Sequence, residues 1–171
     1  RSVSNRIPSW SKDRTIGRRT YNARSETVAE KPSYRTAWRQ CQFCLVPMIR
    51  FFEPCWETGK AVRWSIHRQD NEPFTVAAIW DSWTDRATGE IVESFSMLTI
   101  NADGHPVMGR FHRPGDERRS LVIVPTHAWQ RWLNATTGTA RDLLTEMPTS
   151  EFCAGPVVGT GVDANSQAAL L

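Results

Sequence analysis

The chain has 171 residues, enough for a single domain over 1–171 with a real hydrophobic core. No apolar run approaches the roughly 20 residues of a membrane span and no signal-peptide segment opens the chain, so a soluble, cytoplasmic protein is expected. The formal charge of +3 hides an asymmetry: residues 1–50 carry 11 Lys/Arg against 3 Asp/Glu, and the remainder 10 against 15.

The segment Arg1 to Thr20 is polar and basic, interrupted by Pro8 and Gly17, and reads as loop. Asn22-Ala23-Arg24 reads as a short extended piece whose i, i+2 spacing puts Asn22 and Arg24 on one face. Thr27 and Glu30 have capping-box spacing, which predicts a helical turn ended by Pro32. Ser33 is then placed to cap a second short helix through Trp38. A basic third interleaved with Trp10, Tyr21, Tyr34 and Trp38 offers cations for phosphates and π-faces for bases. Trp10, Arg18, Arg19 and Arg24 are the candidate nucleic-acid contacts. The bland alternative is a solvated basic face or arm.

From Cys41 the pattern turns to β. Val62, Trp64 and Ile66 alternate with Arg63, Ser65 and His67, the pattern of a half-buried strand preceded by the turn Glu57-Thr58-Gly59-Lys60. A further strand starts over Phe74 to Trp80. After a turn at Asp85 to Gly89 another runs from Ile91 to Ile100. The stretch Asn101 to Asp116 is a constrained loop carrying His105 and His112. Leu121 to Val124 is a buried strand, and a helix with Thr126 as N-cap follows. Another helix, capped by Thr139, carries Ala140, Leu143, Leu144 and Met147, and the tail from Cys153 to Asn165 reads as irregular. The expected fold class is α+β: an antiparallel sheet meander, curled toward an open barrel, with short flanking helices.

Two features bear on chemistry. Glu53 is a lone carboxylate in Ile49-Arg50-Phe51-Phe52-Glu53-Pro54-Cys55-Trp56. If its surroundings are apolar, desolvation raises its pKa toward the range of a proton-transfer group; Phe52 and Pro54 are the expected cause. If it points outward from a strand buried on the other face, it is an ordinary surface carboxylate. Cys41 and Cys44 have zinc-knuckle spacing, but no second ligand pair follows. Two buried structural thiols, no metal and no cofactor are expected. Four cysteines suit a reducing compartment, and none has an evident base partner in sequence.

Several of these segments stand in an order that resembles the SRAP family, the SOS response-associated peptidases or abasic-site crosslinking proteins. They are Ile7-Pro8-Ser9-Trp10; Asn22-Ala23-Arg24-Ser25-Glu26-Thr27 with Lys31-Pro32-Ser33-Tyr34-Arg35; Cys44-Leu45-Val46-Pro47 running into Phe51-Phe52-Glu53; and the loop to His112 leading into Leu121 to Pro125. The tail Phe152 to Gln167 is also similar. The resemblance implies action on abasic sites in single-stranded DNA, through an N-terminal Cys whose amine and thiol form a thiazolidine with the open-chain aldehyde. Carried over, Glu53 is the catalytic carboxylate, His112 the catalytic imidazole with His105 its rival, Asn22 the orienting amide and Arg24 a phosphate-holding cation. These four residues are then expected to line one concave site, in a monomer that sits at the nucleoid when DNA-bound.

The chain also departs from the family pattern. Members begin Met-Cys-Gly-Arg; here the first cysteine is Cys41, and Ile-Pro-Ser-Trp follows only six residues. An N-terminally incomplete member without the nucleophile is therefore expected. Ser4-Asn5 replace Trp-Gly, and Arg113-Pro114-Gly115-Asp116-Glu117-Arg118-Arg119 replaces a shorter acidic-Arg motif. Two alternatives remain at this stage. One is a non-catalytic single-stranded DNA-binding module. The other is a thiol autopeptidase, so that hydrolase and lyase chemistry both stay open.

Overall fold

The computed structural model describes residues 6–157; the positions Ser4 and Asn5 and the tail beyond 157 lie outside them. The architecture is α+β, sheet with a few short helices, as the patterning predicts. It divides into two compact units, one formed by the residues up to Pro47 with Phe74–Ile100 and Ser120–Met147, the other by Met48–Pro73, Asn101–Arg119 and the stretch from Pro148 on.

The first unit is built on a five-stranded sheet. Its strands are β1 (Asn22–Arg24), β2 (Phe43–Met48), β5 (Phe74–Thr84), β6 (Ile91–Asn101) and β7 (Arg119–Leu121), in the order β1-β6-β5-β2 with β7 also on β6. The β5–β6 hairpin is antiparallel, from Ala78 opposite Met97 to Thr84 opposite Ile91. Its turn closes on Asp85, with Gly89 at φ +74°, where a side chain would be strained. β1 departs from the antiparallel expectation: it runs parallel to β6, with Ala23 beside Leu98. The predicted strand at Leu121 to Val124 fills the gap where β5 and β6 diverge. Val122 N–H donates to Leu98 O, and Ala77 N–H donates to Val122 O.

A core of Trp38, Phe43 and Trp132 backs this sheet, with ring centroids 5.2 and 4.9 Å apart. The Trp132 indole N–H is satisfied by Cys44 O at 2.9 Å, so the ring is buried without an orphaned donor. At the start of the described chain Arg6, 1 % exposed, donates from Nη2 to Asp81 Oδ2 on β5 at 2.7 Å. Asp81 also accepts from Ser9 N–H at 3.2 Å and from Ser82 N–H at 2.9 Å. This pair ties an otherwise loop-like N-terminal stretch, whose one regular turn is a 3-10 helix at Thr15–Arg19, to the sheet.

The helices are shorter than expected and start elsewhere. Thr27 and Glu30 close backbone turns without forming a helix. α1 spans Arg35–Arg39 with Tyr34, not Ser33, at its N-cap and no side-chain cap. A 3-10 turn at Thr126–Ala128 leads into α2 (Trp129–Leu133), with Pro125 in the N-cap position in place of Thr126. α3 (Thr137–Arg141) is capped by Thr136, and Thr139 sits at N3, returning the bond. Two threonines three apart can each fill the cap; the one whose backbone is extended does so.

The second unit is a three-stranded antiparallel sheet, β3 (Arg50–Cys55), β4 (Val62–Arg68) and β8 (Phe152–Pro156), in the order β3-β4-β8. β8 corrects the expectation of an irregular tail: its residues pair with Trp64 to Arg68. Neither sheet closes into a barrel. Among the described residues no helix is long and apolar enough to cross a membrane.

Candidate functional site

The loop at Trp56 to Ala61 sets the β3–β4 register, placing Glu53 directly across from Trp64. Alternation then decides which face the carboxylate takes. Phe51, Glu53 and Cys55 share one face with Trp64 and the fully buried Ile66, while Phe52 and Pro54 point the other way and are exposed. Glu53 is therefore on the buried side of its strand, and the surface-carboxylate alternative does not hold. The expected cause also needs correcting. Phe52 and Pro54 flank Glu53 in sequence but lie on the opposite face; the neighbours on its own face are Phe51, Cys55 and Trp64.

The loop carrying His112 returns to this strand. Phe111 bridges to Cys55, and His112 N–H donates to Pro54 O at 3.2 Å. Phe111, wholly buried, meets the Trp64 ring edge-on at 5.9 Å. On Trp64 also lies Arg110, 4.8 Å from the ring centroid, which grips Glu57 at 2.7 and 3.0 Å. With its ends fixed, the loop holds His112 at φ +74°, a left-handed conformation that costs a non-glycine residue about 1–2 kcal/mol.

That turn brings His112 Nε2 to 3.9 Å from Glu53 Oε2, with the two side chains 23 % and 25 % exposed. The gap exceeds a hydrogen bond. Desolvation pushes the Glu53 carboxyl up to about 7. Desolvation also lowers the His112 imidazole below its ordinary value. An ion pair would move both the other way, the acid down and the base up. Near pH 7 the imidazole is therefore neutral and the carboxyl is about half protonated, so that Glu53 can both give and take a proton. His112 Nδ1 is buried without a hydrogen-bond partner.

The other candidates lie in the first unit. Asn22 and Arg24 flank the buried Ala23 on β1 as expected; the Asn22 Oδ1 is buried with no partner, and its carbonyl accepts from Tyr34 Oη at 2.9 Å. Arg24 is exposed. Trp10 is exposed, its indole N–H donating to Pro32 O at 3.0 Å, and Arg18 and Arg19 are exposed in their 3-10 turn. His105, by contrast, is buried, with Nδ1 accepting from Val107 and Met108 N–H at 3.1 and 3.0 Å. It organises the loop backbone.

Cys41 and Cys44 are half-buried, not buried, and burial pushes the Cys44 thiol up to about 12. Among the described residues no group of three or more His, Cys, Asp or Glu is placed to hold a metal. Trp64 was missed as a site residue. The register set by the turn before β4 is the signal that finds it.

The SRAP family model, described as SOS response associated peptidase, matches residues 5–162. The chain belongs to the SRAP family. Among SRAP relatives, the abasic site processing proteins YoaM and YoqW of Bacillus subtilis are 26 % and 28 % identical over 131 residues, 75 % of this chain. These matches cover 53 % and 54 % of the two proteins, so this chain spans about half the length of the curated relatives it matches. A crystal structure from Bordetella bronchiseptica superposes with a TM-score of 0.85 at 35 % identity, covering 92 % of this SRAP chain and 76 % of that one. One from Bacteroides thetaiotaomicron gives 0.77 at 27 % identity, covering 90 % and 67 %.

Proposed function

We propose that this SRAP chain processes abasic sites in single-stranded DNA, with Glu53 and His112 as its proton-transfer pair. The observation that carries the reading is the withdrawn position of that pair, 3.9 Å apart and three-quarters buried, with no hydrogen bond between them to hold the carboxyl ionised. A surface that only binds DNA has no use for a desolvated carboxyl titrating near 7, whereas ring opening does. As the closed deoxyribose opens, the bond from C1 to the ring oxygen breaks, protonated Glu53 can donate to that oxygen, and the C1 hydroxyl gives up its proton to water as the aldehyde forms. The carboxylate left behind can then take the proton from an attacking amine, and His112 can relay it.

In this reading the chain is one SRAP domain, and Asn22 orients the nucleophile. Arg24, with Trp10, Arg18 and Arg19, holds the strand. The relatives' names, abasic site processing proteins, support the substrate. The covalent crosslink that the family resemblance implies uses an N-terminal Cys, so the part proposed for these residues is the acid–base and DNA-holding one. Monomeric action in the cytoplasm at the nucleoid, within a DNA-damage response, belongs to the same proposal.

The test is crosslinking to single-stranded DNA bearing one abasic site, in a protein carrying the family's N-terminal Cys. Glu53→Gln should slow capture by about 100-fold or more with DNA affinity nearly unchanged. Equal rates would make Glu53 structural and favour a binding module. For the DNA-holding part, the fall of log affinity with log salt should flatten by about 0.7 in Arg24→Ala, one phosphate contact on a single strand.

A further inference from the structure

The face of the three-stranded sheet opposite Glu53 carries a second pair of reactive groups. Cys153 on β8 is paired with His67 on β4, and its Sγ lies 3.4 Å from His67 Nε2 and 3.7 Å from the His67 carbonyl oxygen. Both residues are half-buried. The ring's other nitrogen, Nδ1, is buried with no hydrogen-bond partner, so no second bond through that nitrogen fixes the imidazole. From the geometry we infer that Cys153 and His67 form a thiol–imidazole dyad, a modification site at which Cys153 is alkylated by small soft electrophiles.

Three observations support this assignment. First, the dyad's distance suits base-assisted attack: as sulfur bonds to carbon, its proton can pass to Nε2. Second, the charged residues of β3, β4 and β8 on this face are Arg50, directly opposite His67, and Arg63; none of the three strands places a carboxylate here. Glu151, in the turn before β8, is held by Arg68 at 3.0 Å. No carboxylate of these strands therefore opposes charge developing on sulfur. Third, the other thiols lack these conditions: Cys55 is buried, and burial raises the Cys44 thiol well out of its reactive range. Cys41 is half-buried like Cys153 but, among the described residues, has no imidazole within bonding distance of its sulfur, which makes it the internal control.

With iodoacetamide as the probe, Sγ attacks the methylene carbon, the C–I bond breaks, iodide leaves with the electron pair, and the thiol proton moves to His67 Nε2. The experiment is timed labelling of the native full chain near pH 7, with each cysteine quantified by peptide mass spectrometry. Cys153 should react about tenfold faster than Cys41, with Cys44 and Cys55 slower still. In His67→Gln, which keeps a polar side chain that cannot take up the proton, the Cys153 rate should fall to that of Cys41. An unchanged rate would mean that the thiol simply donates to the backbone carbonyl, and the dyad would be rejected. Should that variant fail to fold, the wild-type comparison decides alone: Cys153 labelled no faster than Cys41 overturns the proposal.

Discussion

Each unit withdraws an acid–base pair from water, and burial acts on the two pairs differently. Arg6 and Asp81 touch at 2.7 Å, and two backbone N–H groups also bond the carboxylate, so the charge on Asp81 is held by three donors. Desolvation lowers the Arg6 pKa, but Asp81 opposes it, and a guanidinium keeps its proton regardless. Glu53 and His112 stand 3.9 Å apart without a bond between them, and both shift toward their neutral forms. Burial alone therefore does not decide whether such a pair is a rivet or a proton store. The number of donors around the carboxylate does.

The sharpest way to break this comparison is to remove the anion of the first pair. Asp81→Ala leaves Arg6, whose Nε and Nη1 already lack partners, as an uncompensated buried charge. The expected loss is about 3–5 kcal/mol in urea unfolding, as for other broken buried pairs. A loss under about 1 kcal/mol would mean that Arg6 simply swings out to water.

Glu53→Gln should act in the opposite sense and raise stability at neutral pH. The carboxyl titrates at 4.5 when unfolded and at about 7 when folded. Below pH 4.5 both states are protonated and nothing is lost. Between 4.5 and 7 only the unfolded chain ionises, so wild-type stability falls; above 7 the difference stays constant. The Gln variant should match wild type near pH 4 and exceed it above pH 7 by up to about 3 kcal/mol. Matched denaturation curves at the two pH values check this, and destabilisation at both would show a carboxylate anchored by bonds, like Asp81.

The smallest effect concerns the backbone that delivers the imidazole. At φ +74° glycine is at ease and alanine is not, so His112→Gly should be more stable than His112→Ala by about 1 kcal/mol. Equal stabilities would mean that the loop relaxes once the ring is gone.

Local patterns revealed some of this and hid the rest for definable reasons. Turn chemistry at Asp85 to Gly89 was enough to read the β5–β6 hairpin, and the i, i+2 rule placed Asn22 and Arg24 on one face. The same rule, carried through Phe51 to Cys55, already separates Glu53 from Phe52 and Pro54; reading sequence neighbours as spatial ones obscured it. β8 escaped because it is short and contains Gly155 and Pro156, which a terminal edge strand tolerates and a central one does not. The meeting of Glu53 with His112 depends on the bridge between Cys55 and Phe111, and that of Cys153 with His67 on the β4–β8 register. Long-range pairings of this kind leave no periodic trace in either segment.

β8 also sets a timetable for the growing chain. β4 finds one neighbour almost at once, across the short loop from β3, but its other edge waits until Phe152–Pro156 leaves the ribosome. At roughly 5–20 residues per second that interval lasts on the order of 5–20 s, long compared with hairpin closure in microseconds. Throughout it, Trp64 to Arg68 present unpaired backbone to any passing strand. Arg63, His67 and Arg68 act as gatekeepers along that edge, and translation slowed after Met147 should raise the aggregated fraction in proportion to the delay.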